Sequence, residues 1–253
     1  MKVRPGIEAA ALTDVGCLRQ NNEDNYAYWE SEQDSEFERL GRLALVADGM
    51  GGAEGGQFAS QIAVDAVCET YALPGPETPQ LRLSAAFLEA NRRVQQEAQA
   101  KPLLRGMGTT LTACAIVGKE LYFAHIGDSR LFLVRNGECQ QLTRDHSLVA
   151  RLIESGTIRP EEAETHPQKH VLTAAIGVAD DLEPDVPPSP VRLETRDVLV
   201  LCTDGLWGQI TSSEIAQIVS SASPKDACKA LVQLANDRGG PDNITVQVLE
   251  VLA

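Results

Sequence analysis

Five aspartates lie in short turns rich in glycine or asparagine, mostly at the edges of apolar, strand-like segments: Asp24, Asp48, Asp128, Asp204 and Asp242. Hard divalent cations such as Mg²⁺ and Mn²⁺ prefer oxygen ligands, and strand ends can bring carboxylates from distant parts of a chain together. One Asp-Gly or Asp-Asn pair alone is typical of an ordinary turn. Five together predict an acidic cluster that a cation must neutralise. We therefore predict a metal-dependent hydrolase.

Apolar segments next to these aspartates indicate the strands that position them. Residues 42–47 form a short apolar segment that ends at Asp48, where glycines allow a sharp turn. A second apolar segment, residues 198–202, leads into Asp204, and residues 244–251 are predicted as a closing strand. The aspartates are thus expected at strand ends.

Helical periodicity and capping residues predict four helices. Residues 56–71 are expected to form a largely buried helix whose apolar face includes Phe58. Three further helices are predicted to begin at the capping residues Thr78, Thr211 and Ser223.

Short links between three apolar segments predict antiparallel pairing. Residues 109–117, 121–126 and 130–135 are separated by Gly118-Lys119 and by Gly127-Asp128-Ser129. Connections of this length favour hairpins over parallel crossovers. The mixed order of elements therefore predicts an α+β fold with antiparallel sheets.

Composition restricts the possible functions. The 36 acidic and 22 basic residues give a net charge of −14, which argues against nucleic acid or an anionic membrane as the main partner. No apolar leader opens the chain, and the apolar segments are too short to span a bilayer. Cysteines occur singly, as expected of reduced, buried thiols in a cytoplasmic protein. Their positions are 17, 68, 114, 139, 202 and 228.

Arg19 indicates a phosphate-containing substrate for the cluster, because its planar guanidinium suits bidentate hydrogen bonding to phosphate oxygens. With it, the chain resembles the metal-dependent serine/threonine protein phosphatases of type 2C, the PPM family, and in particular their compact bacterial members. The matching segments run in order along nearly the whole chain: residues 19–24, 46–52, 106–110, 125–130, 145–147, 172–173 with Gly177, 202–207 and 239–246.

The resemblance implies a fold and a set of ligands. The fold is a central antiparallel β-sandwich flanked by helices on both faces, in one domain of residues 1–253 with a flap at about 147–177. Asp48 would bridge two Mn²⁺ or Mg²⁺ ions. The backbone carbonyl of Gly49 and, through waters, Asp24 would serve one ion, and Asp204 with Asp242 the other.

The remaining implied roles complete the site. Asp128 would bind a third, weaker ion shared with Asp204, Glu23 would orient a water, and Asn243 would support Asp242. Arg19 would hold the substrate phosphate, so that Arg19, Asp48 and Asp204 are the implied catalytic residues. The implied reaction is attack on phosphorus by a water that two metal ions activate.

Two positions depart from the family pattern. Animal members carry a histidine, proposed as a general acid, where this chain has Met50, and methionine cannot donate a proton. The proton could come from a metal-bound water, from His166 or from His170, both of which lie in the flap. Ala174 stands where the family often has arginine, which affects the anchoring of the flap.

The implied partners are phosphoprotein substrates and a serine/threonine kinase whose action the protein reverses; the protein is expected to be a monomer that binds neither nucleic acid nor membranes. Two alternatives stay open. One is an inactive phosphatase-like binding module, which loss of a ligand aspartate would indicate. The other is a metal-dependent phosphodiesterase.

Overall fold

Strands and helices are interspersed along the chain. The computed structural model describes residues 4–51, 54–75, 77–163, 166–178 and 181–252; Gly52, part of one matching segment, lies outside these ranges. The strands are β1 (Ile7–Asp14), β2 (Asp24–Glu30), β3 (Arg42–Met50), β4 (Gly108–Thr109), β5 (Leu111–Val117), β6 (Glu120–Ile126), β7 (Arg130–Arg135), β8 (Glu138–Gln141), β9 (Val191–Arg192), β10 (Val198–Cys202) and β11 (Ile244–Val251). The α-helices are α1 (Asp34–Leu40), α2 (Gly55–Ala72), α3 (Pro79–Ala100), α4 (Leu148–Glu154), α5 (Pro160–Ala163), α6 (Asp204–Trp207), α7 (Ser212–Ser221) and α8 (Pro224–Asp237).

Two antiparallel sheets form the centre of the fold. Sheet I has the strand order β1-β11-β10-β7-β8, and sheet II has the order β2-β3-β5-β6-β9, with β4 paired to the end of β3. Helices α2 and α3 cover the outer face of sheet II, and α7 and α8 cover that of sheet I. The predicted α+β class, with a central sandwich flanked by helices on both faces, is confirmed.

The alternation of side chains along β3 shows why its sequence is apolar throughout. Leu43, Leu45 and Ala47 pack against the α2–α3 layer. Ala44 and Val46 point the other way, into the cluster between the two sheets. Both faces of this strand are therefore buried, and each fully buried leucine stabilises the fold by roughly 1.5–3 kcal/mol.

The predicted helix starts are confirmed at three capping residues. The side chains of Thr78, Thr211 and Ser223 accept backbone N–H groups at the starts of α3, α7 and α8. The expectation that Phe58 is buried is wrong, because 43% of this residue is exposed. Its neighbour Ala59 faces the core, and consecutive helical residues point about 100° apart.

One predicted hairpin forms and the other does not. Strands β5 and β6 pair through the turn at Gly118-Lys119. Strand β7 instead pairs with β10 and β8 in sheet I, so Gly127-Asp128-Ser129 crosses from one sheet to the other. Gly127 has a φ of 106°, which turns the chain out of sheet II. The crossing places Asp128 between the two sheets.

The flap segment has more secondary structure than its polar sequence indicates. It contains α4 and α5, and Ser147 caps α4. A bridge between Ser147 and Leu172 closes its base. The sequence pattern also does not predict β1, β2 or α1.

The six cysteines are unpaired. The expectation of buried thiols is confirmed for Cys114, Cys202 and Cys228. It is wrong for Cys17, which is exposed in the loop between β1 and β2, and Cys68 and Cys139 are only half-buried. Among the helices of the described ranges, none is both long enough and apolar enough to cross a lipid bilayer.

Candidate metal centre

Two of the five aspartates face each other across neighbouring strands. Asp24 at the start of β2 lies opposite Asp48 near the end of β3. The backbone at Asp48 is fixed, because its N–H donates to Thr110 Oγ1 at 2.9 Å and its carbonyl accepts from Thr109 Oγ1 at 2.8 Å. Strand β3 therefore continues beyond the predicted end at residue 47 and holds Asp48 rigidly.

A threonine between β10 and α6 joins Asp24 to the segment that carries Asp204. Thr203 Oγ1 donates to Asp24 Oδ2 at 2.8 Å, and Thr203 immediately precedes Asp204 at the start of α6. The other oxygen of Asp24, Oδ1, is buried and has no hydrogen-bond partner, and the same holds for Oδ1 of Asp204. A buried carboxylate oxygen without a partner is costly, which is a sign of a ligand.

The pKa values show that the aspartates influence one another. Burial, followed by the charges of the other four aspartates, raises the pKa of Asp48 well above its usual value. Burial likewise raises the pKa of Asp24 to about 7 and that of Asp128 to about 7, and Asp204 adds to both shifts. The structure therefore gathers all five into one electrostatic cluster, in which the like charges of the other four disfavour ionisation of Asp48.

The donor set fits a hard divalent cation. It offers carboxylate oxygens, including the two buried ones without partners. Within the described ranges, however, no three His, Cys, Asp or Glu side chains lie close enough to form a finished ligand set. Two of the aspartates are engaged in ion pairs, Asp242 with Arg19 and Asp204 with His170. The ligand roles assigned from the sequence therefore stay predictions.

Arg19 lies at the entrance of the cluster. Its Nη2 contacts Asp242 Oδ2 at 2.7 Å, while 52% of the side chain is exposed. It lines a pocket of about 160 Å³ together with Gln20, Asn21, Glu23 and Asn243. An exposed guanidinium at the mouth of an acidic cluster can reach an anion that approaches from solvent.

The turn at Asp242 and Asn243 is joined to the loop that carries Arg19. Asn243 Oδ1 accepts from the backbone N–H of Glu23 at 2.8 Å. Its Nδ2 donates to the carbonyls of Val15 and Asn21 at 3.0 and 2.9 Å. Asn243 is therefore more than a neighbour of Asp242, because it holds residues 15–23 in place.

Close backbone packing requires glycine at the end of β3. A Cβ on Gly49 would lie 2.1 Å from the carbonyl oxygen of Gly56 and 2.6 Å from that of Glu23. A Cβ on Gly56 would in turn lie 2.6 Å from Oε2 of Glu23. The carboxyl group of Glu23 thus packs against the first turn of α2, where burial raises its pKa.

The flap brings one of its two candidate histidines to the site. His170 Nδ1 lies 3.7 Å from Asp204 Oδ2, and this contact raises the pKa of His170. His166 instead accepts the backbone N–H of Gln168 in its own turn. Met50 pairs with Gly108 at the end of β3 and offers no proton.

Thr110, Thr203 and Trp207 also hold the site, and the sequence pattern assigns them no role. Trp207 Nε1 donates to the carbonyl of Asp128 at 2.9 Å. All three lie in segments that match the family, 106–110 and 202–207. For Thr203 and Trp207 the available signal was their place beside Asp204, and for Thr110 it was the matching segment itself.

Comparison with known proteins identifies the family. A family model described as "Protein phosphatase 2C" matches residues 19–242. Protein phosphatase PhpP of Streptococcus pneumoniae is 42% identical over 97% of this chain and 98% of its own. The serine/threonine phosphatase of S. agalactiae superposes with a TM-score of 0.88, at 38% identity over 97% of this chain and 99% of its own. The chain belongs to the protein phosphatase 2C family.

One solved relative contains metal ions. It is the catalytic domain of the serine/threonine protein phosphatase PstP in complex with two manganese ions. It has a TM-score of 0.84 and 32% identity over 98% of this chain and 99% of that one. The resemblance drawn from the sequence is confirmed by these matches.

Proposed function

We propose that this member of the 2C family removes phosphate from phosphoserine and phosphothreonine in proteins with the help of two divalent cations. The observation that carries the proposal is the cluster of five aspartates, in which four raise the pKa of Asp48, together with the buried oxygens of Asp24 and Asp204 that have no hydrogen-bond partner. Arg19 at its mouth supplies the contact for an anionic substrate.

The proposed ligands follow from the cluster. Asp48 would hold both ions; Asp24 and the carbonyl of Gly49 would complete one site, and Asp204 with Asp242 would complete the other. The chemistry that bound cations would supply is activation of a water nucleophile and compensation of the charge of the phosphate. The two manganese ions of PstP support this number, and the carboxylate donors suit Mn²⁺ and Mg²⁺ alike. Asp128 is proposed to serve a third, weaker ion.

Three side chains of the protein act on the substrate and solvent. Arg19 pairs with phosphate oxygens and holds the phosphorus in line with the attacking water. Glu23, which packs against α2, orients that water. His170 is the proposed donor of a proton to the leaving serine or threonine oxygen, because it is the flap histidine beside Asp204.

The test compares Asp48→Asn and Asp204→Asn with Asp181→Asn, an exposed aspartate outside the cluster. The first two should lose Mn²⁺-dependent hydrolysis of a phosphothreonine peptide, and the third should retain it. Equal activity in all three would refute the metal assignment. Hydrolysis of bis(p-nitrophenyl) phosphate in preference to the peptide would indicate the phosphodiesterase alternative, and no hydrolysis of either would indicate the binding module.

The role of His170 has its own test. His170→Gln should slow hydrolysis of a phosphothreonine peptide but leave hydrolysis of p-nitrophenyl phosphate unaffected. The p-nitrophenolate anion is a good leaving group that needs no proton from a general acid. Equal losses on both substrates would contradict a general-acid role.

Further expectations stay proposals. The six unpaired cysteines support a reducing, cytoplasmic location. The apolar cluster shared by the two sheets supports a single domain. A cognate serine/threonine kinase and a monomeric state complete the proposed setting, and light scattering with size-exclusion chromatography tests the latter.

A further inference from the structure

The link between β6 and β7 is held by a tryptophan from another element. Trp207 Nε1 donates to the backbone carbonyl oxygen of Asp128 at 2.9 Å. Trp207 is the last residue of α6, and Asp204 is the first. One short helix therefore carries one aspartate of the cluster at its start and holds the backbone of another at its end.

The orientation of the indole ring is itself constrained. The guanidinium carbon of Arg130 lies 3.5 Å from the centroid of the Trp207 ring. Nε and Nη2 of Arg130 donate to the two carboxylate oxygens of Asp145 at 3.0 and 2.7 Å. A guanidinium that is both stacked and bidentate has little freedom, so it limits rotation of the indole beneath it.

Residues on either side of Asp128 are also anchored. The carbonyl of Gly127 accepts from the backbone N–H of His146 at 2.6 Å, and its own N–H donates to His146 Nδ1 at 3.2 Å. The Ser129 and Thr110 hydroxyls lie 2.7 Å apart in a hydrogen bond. The indole N–H adds the contact at the middle residue of the link.

We propose that Trp207 is a positioning residue that fixes the backbone at Asp128 and thereby sets the separation of the Asp128 and Asp204 carboxylates. The proposal rests on the proposed function, in which Asp128 serves the weaker ion. It explains why the donor is an indole, whose N–H donates and cannot accept, opposite a carbonyl, which only accepts.

The first experiment uses Trp207→Phe, which keeps an aromatic ring under Arg130 and removes only the N–H. The Mn²⁺ concentration for half-maximal hydrolysis of a phosphothreonine peptide should rise roughly fivefold, as expected for loss of one ordinary hydrogen bond. The kcat at saturating Mn²⁺ should largely recover. Asp128→Asn is the reference for loss of the weaker site, and Trp29→Phe is the matched control, since Trp29 is the other tryptophan of the chain.

The second experiment does not depend on activity or on the folding of Trp207→Phe. In Trp29→Phe, the single indole N–H signal in an NMR spectrum belongs to Trp207. Its exchange with solvent should be at least tenfold slower than that of free indole. Added Mg²⁺, which is diamagnetic and leaves the signal visible, should shift it over the concentration range in which the weaker site fills.

The outcomes separate the inference from the proposed function. Suppose that Asp128→Asn raises the Mn²⁺ concentration needed for half-maximal hydrolysis. The positioning role is then refuted if Trp207→Phe leaves that concentration unchanged, whether or not Trp207→Phe lowers the melting temperature. An indole N–H that exchanges at the free rate refutes it as well. If Asp128→Asn also leaves the requirement unchanged, the proposed role of Asp128 fails, and the inference fails with it.

Discussion

Asp24 at the start of β2 lies directly opposite Asp48 near the end of β3; Asp24 is buried and Asp48 is half-buried. Like charges in this position destabilise an antiparallel pair, and burial raises the pKa of both groups. The two carboxyls thus form an acidic site, and their repulsion lowers the stability of the folded protein. Such a conflict between stability and function is typical of active sites.

The first prediction concerns stability without metal. Asp48→Asn removes one of the opposed charges and should raise the melting temperature in EDTA at pH 8 by a few degrees, at about 2–4 °C for each kcal/mol. The gain should be smaller at a lower pH, such as pH 5.5, because the raised pKa of Asp48 favours its neutral carboxyl as the pH falls. Scanning calorimetry measures both values, with Asp181→Asn as the control. A lower melting temperature for Asp48→Asn at pH 8 would contradict the repulsion.

The second prediction concerns the pH dependence of metal binding. Carboxyls with a pKa of about 7, such as those of Asp24 and Asp128, hold protons below that pH, and a cation must displace them. The dissociation constant for Mn²⁺ should therefore rise as the pH falls from 8 to 6, by up to about tenfold per unit for each displaced proton. Calorimetric titration in buffers of different ionisation enthalpy counts the protons. Absence of proton release at pH 6.5 would show that these pKa values are not raised.

The third prediction separates substrate binding from metal binding. Arg19→Ala should lower kcat/KM for a phosphothreonine peptide roughly 10- to 100-fold, the range of one or two charge-assisted hydrogen bonds. Mn²⁺ should still raise the melting temperature, because the substitution frees Asp242 from its ion pair. Arg92→Ala is the control, since Arg92 pairs with Glu89 on the surface of α3. Loss of the thermal response to Mn²⁺ in Arg19→Ala would overturn this division.

The fourth prediction concerns His125, which is fully buried in β6 with Nε2 3.0 Å from the carbonyl of Gly127. Burial, followed by the nearby His146, lowers the pKa of His125 to about 4. The unfolded chain binds this proton near pH 6.5, so the stability due to neutral His125 is complete above that pH and is lost as the pH falls towards 4. The loss amounts to roughly 3 kcal/mol at most.

The test for His125 is denaturant unfolding between pH 7 and pH 4 in the native protein and in His125→Gln. The variant should lose less stability over this range than the native protein does, and His166→Gln, which removes a half-buried histidine of the flap, is the control. The carboxyls whose pKa is raised change the stability in the opposite direction as the pH falls, but they are present in all three proteins. Identical slopes for the native protein and His125→Gln would disprove the prediction.

The fifth prediction concerns the residue after Asp204. A Cβ on Gly205 would lie 2.0 Å from the backbone carbonyl oxygen of Asn243, so Gly205→Ala must push α6 away from that turn. We expect a loss of roughly 1–3 kcal/mol in the free energy of unfolding and weaker Mn²⁺ binding. Gly118→Ala is the control, because its φ of 60° strains alanine without a close described neighbour. Equal thermal responses to Mn²⁺ in the two variants would count against the coupling.

Local features of the fold were predictable because their causes are local. Thr78, Thr211 and Ser223 mark helix starts, since a capping side chain bonds to backbone groups only two or three residues away. The buried strand β10 was likewise predictable from its unbroken apolar segment. The exposure of Phe58 was not, because it depends on which face of α2 the sheet covers.

The sequence by itself determined the aspartates, the arginine and the strands next to Asp48, Asp204 and Asp242, because residue type and short-range pattern specify these. Only the tertiary structure decided that the link at Asp128 crosses between sheets, that Arg19 pairs with Asp242, and that the flap brings His170 rather than His166 to Asp204. The physical reason is distance along the chain. Arg19 and Asp242 are 223 residues apart, and the packing of two sheets that brings such residues together is a property of the whole core.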